Sequence, residues 1–235
     1  MHSNKYTFIY AIGLSMLTAV VLVLTSQQLK PLQEANLALD SKRSVLKSVL
    51  VTSEEDEVIE TAYDGSVEEM VVDSEGNEVT GVDVADVDLK REIAKEPSER
   101  QLPLYVYTED NGSKAYIVPM RGVGLWGPVW GYLALSDDFN TIKGAFFDHK
   151  GETPGLGAEI TELIFQEQFQ GKKILDSNGD FASVNVLKST MKSSLDSENR
   201  VDAISGGTIT SNGVDDMIKN CVAPYLTYFN NLKSN

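Results

Sequence analysis

The chain has 235 residues, 35 of them acidic and 20 basic, for a formal net charge of −15 at neutral pH. That charge repels nucleic-acid phosphates and anionic headgroups alike, which argues against nucleic-acid binding. One cysteine, Cys221, and two histidines, His2 and His149, exclude an internal disulfide, a zinc set or a cysteine-ligated iron–sulfur cluster within this chain alone, so a redox centre must be organic or borrowed.

The stretch from Tyr6 to Thr25 carries no charge, and about twenty residues at the helical rise match the ~30 Å hydrocarbon core of a bilayer. It predicts one membrane-spanning helix within residues 1–30. His2 and Lys5 precede it, while Lys30 and an acidic region follow, so the positive-inside rule predicts a cytoplasmic N-terminus with the bulk of the chain periplasmic. A cleaved signal peptide fits less well, because the run exceeds a usual h-region and Thr25-Ser26-Gln27-Gln28 does not match a small-x-small site.

Residues 31–95 form a membrane-proximal region in this reading. Leu37, Leu39, Val45, Leu46, Val49 and Leu50 alternate with Lys42, Arg43 and Lys47 in a helical pattern over Gln33 to Leu50, either a stalk or a packed first helix. From Glu54 to Glu92, Val58-Ile59, Met70-Val71-Val72 and Val82 to Val84 lie between turn residues, predicting short strands with a solvated acidic face.

Residues 96–235 read as a domain of α+β class. Leu102 to Thr108 and Lys114 to Met120 flank an Asn111-Gly112 turn, and Pro128 to Leu135 and Ile142 to His149 follow, predicting a four-stranded antiparallel meander packed by helices. A helix is expected over Glu159 to Gln170, with Ile160, Leu163 and Ile164 on one side and Gly171 behind the cap. Short strands at Val184 to Leu187 and Val201 to Ile204 precede a final helix that Pro224 must kink or break.

The most informative chemistry lies at Ser205-Gly206-Gly207-Thr208, between strand and helix. Glycines there let an anion approach unpaired N–H groups at a helix start, and Thr208, Thr210 and Ser211 supply hydroxyls. By composition alone such a turn reads first as a simple helix cap.

Asp202 to Thr208 resembles the flavinylation motif of the FMN-binding family, D-x-x-S/T-G-A-T/S, with Gly207 at the usual alanine. A second segment, His149-Lys150-Gly151-Glu152-Thr153-Pro154-Gly155-Leu156-Gly157, resembles another stretch of that family. A third, Gly124-Leu125-Trp126-Gly127 with Trp130 beyond, is similar to the family formed by the C subunits of sodium-translocating NADH:quinone reductases, whose relative is the G subunit of Rnf complexes.

The resemblance implies FMN esterified through its phosphate to Thr208 by a flavin transferase that uses FAD and magnesium. It implies cofactor contacts from Ser205, Gly206, Gly207, Thr210, Glu152, Thr153, Gly155, Leu156 and Gly157, with Trp126 against the ring or in packing, and with Lys188 as a nearby cation or a surface lysine. It further implies an electron-relaying subunit of a sodium-translocating oxidoreductase in the bacterial inner membrane, partnered by the B, D and E subunits. Without a dinucleotide fingerprint, NADH should bind elsewhere. The rival readings are an Rnf G subunit, with the same flavin in a ferredoxin–NAD circuit, and a flavin-free membrane-tethered scaffold.

Overall fold

The computed structural model describes residues 4–188 and 196–234; His2, placed above ahead of the apolar run, lies outside the described residues. Two compact units result, Met1–Ser41 and Lys42–Asn235.

The first unit is helical. Helix α1 (Asn4–Ser48) starts within it, contains Pro31, and has an apolar window of mean hydropathy 2.3 with none of it buried. Phe8, Ile9, Leu17 and Leu24 are all more than half exposed. The hydroxyls of Thr18 and Thr25 donate to the carbonyls of Leu14 and Val21 at 2.8 Å, so these polar groups are satisfied inside the helix. This segment is long and apolar enough to cross a membrane. The helix expected from Gln33 is not separate: it is the continuation of α1 through Pro31, whose missing N–H removes one hydrogen bond without ending the helix.

In the second unit, five strands lie in chain order in one antiparallel sheet: β1 (Val67–Asp73), β2 (Gln101–Thr108), β3 (Lys114–Val123), β4 (Pro128–Ser136) and β5 (Ile142–His149). The four expected strands are therefore joined by a fifth from the acidic region, and the boundary placed near residue 95 falls between two strands of one sheet.

Alternation along the strands sends Leu104, Val118, Met120, Leu133 and Phe147 into one core. There they meet Val214, Met217 and Ile218 of helix α5 (Thr208–Val222) and Tyr228 and Phe229 of helix α6 (Leu226–Ser234). Between these helices a 3-10 turn, Ala223–Tyr225, contains Pro224, so the expected interruption is present. The Tyr225 hydroxyl donates to the Pro103 carbonyl at 2.6 Å, tying this turn to β2.

The opposite face is covered by the end of α1 and by helix α2 (Asp56–Ser66). Tyr63 donates to Glu69 at 2.6 Å, and the Ser48 carbonyl approaches Gly144 so closely that a Cβ there would lie 2.4 Å from it. Val58-Ile59, expected as strand, is helical, because Ile59 and Tyr63, four residues apart, bury one face while Asp56 and Glu57 complement the helix N-terminus. A further short helix, α3 (Leu89–Ala94), starts at Asp88, whose carboxylate accepts from the N–H groups of Lys90 and Arg91.

The helix expected over Glu159 to Gln170 is broken into a 3-10 turn at Gly157–Thr161, helix α4 (Leu163–Gln166) and a second 3-10 turn at Glu167–Phe169. Glu162 is extended, with ψ 141°, which rotates the later residues out of phase. Ile160, Phe165 and Phe169 are consequently buried, while Leu163 and Ile164 face outward. Strands β6 (Asn185–Leu187) and β7 (Arg200–Asp202) form a separate parallel pair leading directly to the start of α5.

Candidate functional site

The β7 strand ends at Asp202, and the Ala203 N–H still donates to the Leu187 carbonyl at 2.8 Å. The chain then turns through Gly206, whose φ of 76° favours glycine, and enters α5 at Thr208 with Gly207 at the cap. The Gly207 N–H donates to Ile204 and the Ser211 N–H to Gly207, leaving the N–H groups of Thr208, Ile209 and Thr210 without an acceptor among the described residues. No acidic residue occupies this first turn, so the positive end of the helix dipole is not neutralised from within the helix.

These donors open on a pocket of about 220 Å³. One wall comes from residues 206–210, a second from Glu152, Thr153, Leu156 and Gly157, and a third from Leu125 at the β3–β4 turn. Two motifs lying about fifty residues apart in the sequence thus share one cavity.

Glu152 holds the three walls together. Only 5 % exposed, its carboxylate accepts from the Thr210 hydroxyl at 2.6 Å and from the Trp126 N–H at 2.8 Å. Its own N–H donates to His149 Nδ1 at 3.1 Å, which makes His149 a structural acceptor at the strand end. Room for the carboxylate depends on glycines. A Cβ at Gly124 would lie 2.6 Å from Glu152 Oε1, and one at Gly157 would lie 2.4 Å from Thr210 Oγ1 and 2.5 Å from Glu152 Oε2.

The three hydroxyls at the helix start differ in commitment. Thr210 is buried and bonded to Glu152, and Ser211 is buried with its Oγ accepting from the Ile204 N–H at 3.1 Å. Thr208 is half-buried, lines the pocket and makes no side-chain hydrogen bond among the described residues.

A phosphate-bearing group fits this arrangement on steric grounds. A Cβ at Gly206 would meet Leu156 Cδ2 at 2.7 Å, and one at Gly207 would lie 3.0 Å from Ile204 Cγ2 and 3.3 Å from the Gly157 nitrogen. The absent side chains therefore let the helix start, with its unpaired donors, close against the Leu156–Gly157 turn that forms the facing wall of the 220 Å³ pocket. Around the mouth Leu125, Leu156 and Ile209 are 49 %, 42 % and 56 % exposed, a concentration of apolar surface suited to an aromatic ring.

Of the residues singled out in the sequence, Glu152, Thr153, Leu156, Gly157, Gly206, Gly207, Thr208 and Thr210 line this pocket. Ser205 and Gly155 are exposed on the adjoining turns, with Gly155 at φ 76° and its N–H donating to Glu159 at 2.9 Å. Trp126 is 69 % exposed and contributes its backbone N–H to Glu152, while its neighbour Leu125 provides the wall. Lys188 is exposed just past β6 and does not line the pocket. Sequence reasoning misses Leu125 and Ile209 as site residues; Leu125 stands inside the third motif and Ile209 directly follows the first, and an apolar side chain at such a turn is the signal that marks them.

Residues 124–223 match the family described as the FMN-binding domain. The chain is 32 % identical to the C subunit of the Na(+)-translocating NADH-quinone reductase of Haemophilus ducreyi, covering 95 % of this chain and 93 % of the relative. It is also 32 % identical to the protein of that name from Neisseria meningitidis serogroup B, over 97 % of this chain and 94 % of the relative. Among solved structures, the same subunit from Parabacteroides distasonis superposes with a TM-score of 0.78 at 39 % identity, covering 86 % of this chain and 96 % of that one. NqrC of Shewanella oneidensis superposes with a TM-score of 0.70 at 29 % identity, over 83 % and 97 %.

Proposed function

The chain belongs to the family of C subunits of the Na(+)-translocating NADH-quinone reductase, and from that premise we propose that it is a membrane-anchored electron carrier holding FMN as a phosphoester on the Thr208 hydroxyl. The observation carrying this reading is the convergence of the two motifs on one pocket, with Thr208, unlike Thr210 and Ser211 beside it, a helix-start hydroxyl that has no other bond among the described residues.

In this reading, the N–H groups of Thr208, Ile209 and Thr210 bind the phosphate oxygens, and Gly206 and Gly207 let the turn pack closely against Leu156 and Gly157 on the facing wall. Glu152 acts on the protein side: by holding Thr210 and the Trp126 backbone, it fixes the helix start and the β3–β4 turn at a set spacing. Leu125, Leu156 and Ile209, with Trp126 beside them, exclude water from an aromatic ring placed at the mouth. Lys188, following the strand hydrogen-bonded to Ala203, supplies a cation on the approach to the turn. When bound, the flavin supplies reversible acceptance and release of electrons.

The remaining assignments follow the family resemblance: the B, D and E subunits as neighbours, a flavin transferase for maturation, an N-terminus in the cytoplasm, and the second unit on the outer side of the inner membrane.

The test is in-gel fluorescence of denatured protein made in its own host, because a covalent flavin survives denaturation. The parent band should fluoresce and Thr208→Ala should be dark, with FMN mass on the peptide spanning Val201 to Lys219. A colourless parent overturns the carrier reading, and fluorescence that persists in Thr208→Ala but disappears in Thr210→Ala moves the attachment.

A further inference from the structure

A second cavity lies on the other side of the β3–β4 turn and shares no lining residue with the pocket at Thr208. Its volume is about 540 Å³, and three cations from distant segments line it: Lys90 on α3, Arg121 on β3 and Lys150 just past β5. Ile93, Val123 and Pro128 supply apolar wall, and no carboxylate lines it.

None of the three cations forms an ion pair or a side-chain hydrogen bond among the described residues. Lys42, Arg43, Lys95 and Lys143 each hold a carboxylate. One candidate counter-charge, Asp88, lines an adjoining groove of about 300 Å³ that shares Lys90 and Arg121. Its carboxylate is already occupied by the N–H groups of Lys90 and Arg91 and by the Arg91 side chain at 3.3 Å. Three cations lining one cavity without a carboxylate give it a local positive potential that favours an entering anion.

We infer that this cavity binds an organic phosphate ester. A guanidinium presents a planar fork to two oxygens and the lysines add mobile point charges, which suits a phosphate better than a single carboxylate. The apolar wall accommodates the organic part. In the adjoining groove Trp130, paired with Arg121 in the ladder, extends that surface. The same chemistry is carried by a soluble phosphate ester and by the headgroup of an acidic phospholipid.

The full chain, purified in a neutral detergent, is titrated calorimetrically with glycerol 3-phosphate, with glycerol as the uncharged control. Saturable binding of the phosphate alone is expected. Arg121→Gln should weaken it at least about tenfold, as loss of a bidentate charged contact does, and Lys150→Gln, at an exposed position, should weaken it severalfold without affecting the fold. Lys114→Gln, an exposed lysine outside the cavity, should leave it unchanged.

Displacement of the probe by phosphatidylglycerol doped into the micelles, but not by phosphatidylcholine, supports the headgroup as source. Failure of both lipids to displace it supports the soluble ester. Absence of saturable binding, or equal weakening by Lys114→Gln and Lys150→Gln, overturns the inference.

Discussion

Replacing Glu152 tests whether one buried carboxylate holds the three walls of the Thr208 pocket. The side chain is 5 % exposed and accepts two hydrogen bonds, from a hydroxyl that is itself buried and from a backbone N–H next to solvent. A hydrogen bond to a charged group contributes about 1.5–3 kcal/mol. Water can reach the Trp126 N–H once the carboxylate is gone, whereas Thr210 in Glu152→Ala is left with an unpaired donor and a void. Relief from desolvating a carboxylate offsets part of the loss, leaving a net destabilisation of about 3 kcal/mol. For a unit of this size that corresponds to about 6–12 °C in Tm.

Glu152→Gln should cost only about 1 kcal/mol, since its amide oxygen can accept from Trp126 while its N–H₂ donates to the Thr210 oxygen. A double-mutant cycle with Thr210→Val should give a coupling of about 1–2 kcal/mol. The assay is thermal and urea unfolding of the flavin-free chain in detergent, followed by near-ultraviolet circular dichroism. Glu152→Ala unfolding within about 1 °C of the parent, well inside the shift expected for a lost buried partner, would refute the clamp, as would a Gln variant less stable than the Ala variant.

Gly157→Ala forces a Cβ against both Thr210 and Glu152 and should destabilise by about 2–3 kcal/mol, whereas Gly151→Ala, with nothing within 4 Å of the added methyl, should unfold like the parent in the same urea assay. At Glu92, burial alone would raise the carboxyl pKa, but the Gln101 N–H and Lys95 outweigh it and hold the pKa below the usual glutamate value. The ionised form is thus favoured in the folded state, so its contribution is present above the unfolded pKa of about 4.3 and disappears as pH falls through the lower folded value; Glu92→Gln should flatten that part of a stability–pH profile. Burial pushes the Cys221 thiol up, so iodoacetamide should label it only on unfolding, as read by mass spectrometry.

Much of the site is legible in the sequence because turn chemistry is local. A glycine turn at Gly206 ahead of the final helix follows from the glycines, although helical spacing is evident only from Asn212 and the helix itself starts at Thr208. The strands around Asn111-Gly112 follow from β-forming runs on either side of a turn pair. The closeness of residues 152–157 and 206–210 is implied only by resemblance, since no local rule says that a loop after β5 meets a helix start some fifty residues later. The clamp function of Glu152 is invisible for the same reason: the resemblance implies a cofactor contact, while by local rules a glutamate between glycine and threonine reads as solvated loop until its partners are known. Helix α2 escapes notice because its charge density suggests a solvated face and obscures the four-residue spacing of Ile59 and Tyr63. The broken helix after Gly157 misleads because Leu163 and Ile164 supply an apolar repeat that the fold leaves outside.

Placing a threonine, and not a serine, first in α5 has a geometric consequence. Its branched Cβ leaves few rotamers on a helix, so the bond from Cα to the hydroxyl oxygen has few directions available. The middle of α5 is in turn seated on the sheet, with the Gly122 backbone against Met217. Any cargo esterified to that oxygen would inherit its bearing from the helix axis, much as an instrument inherits its aim from the mount, and a serine in its place would keep the bond while loosening the aim.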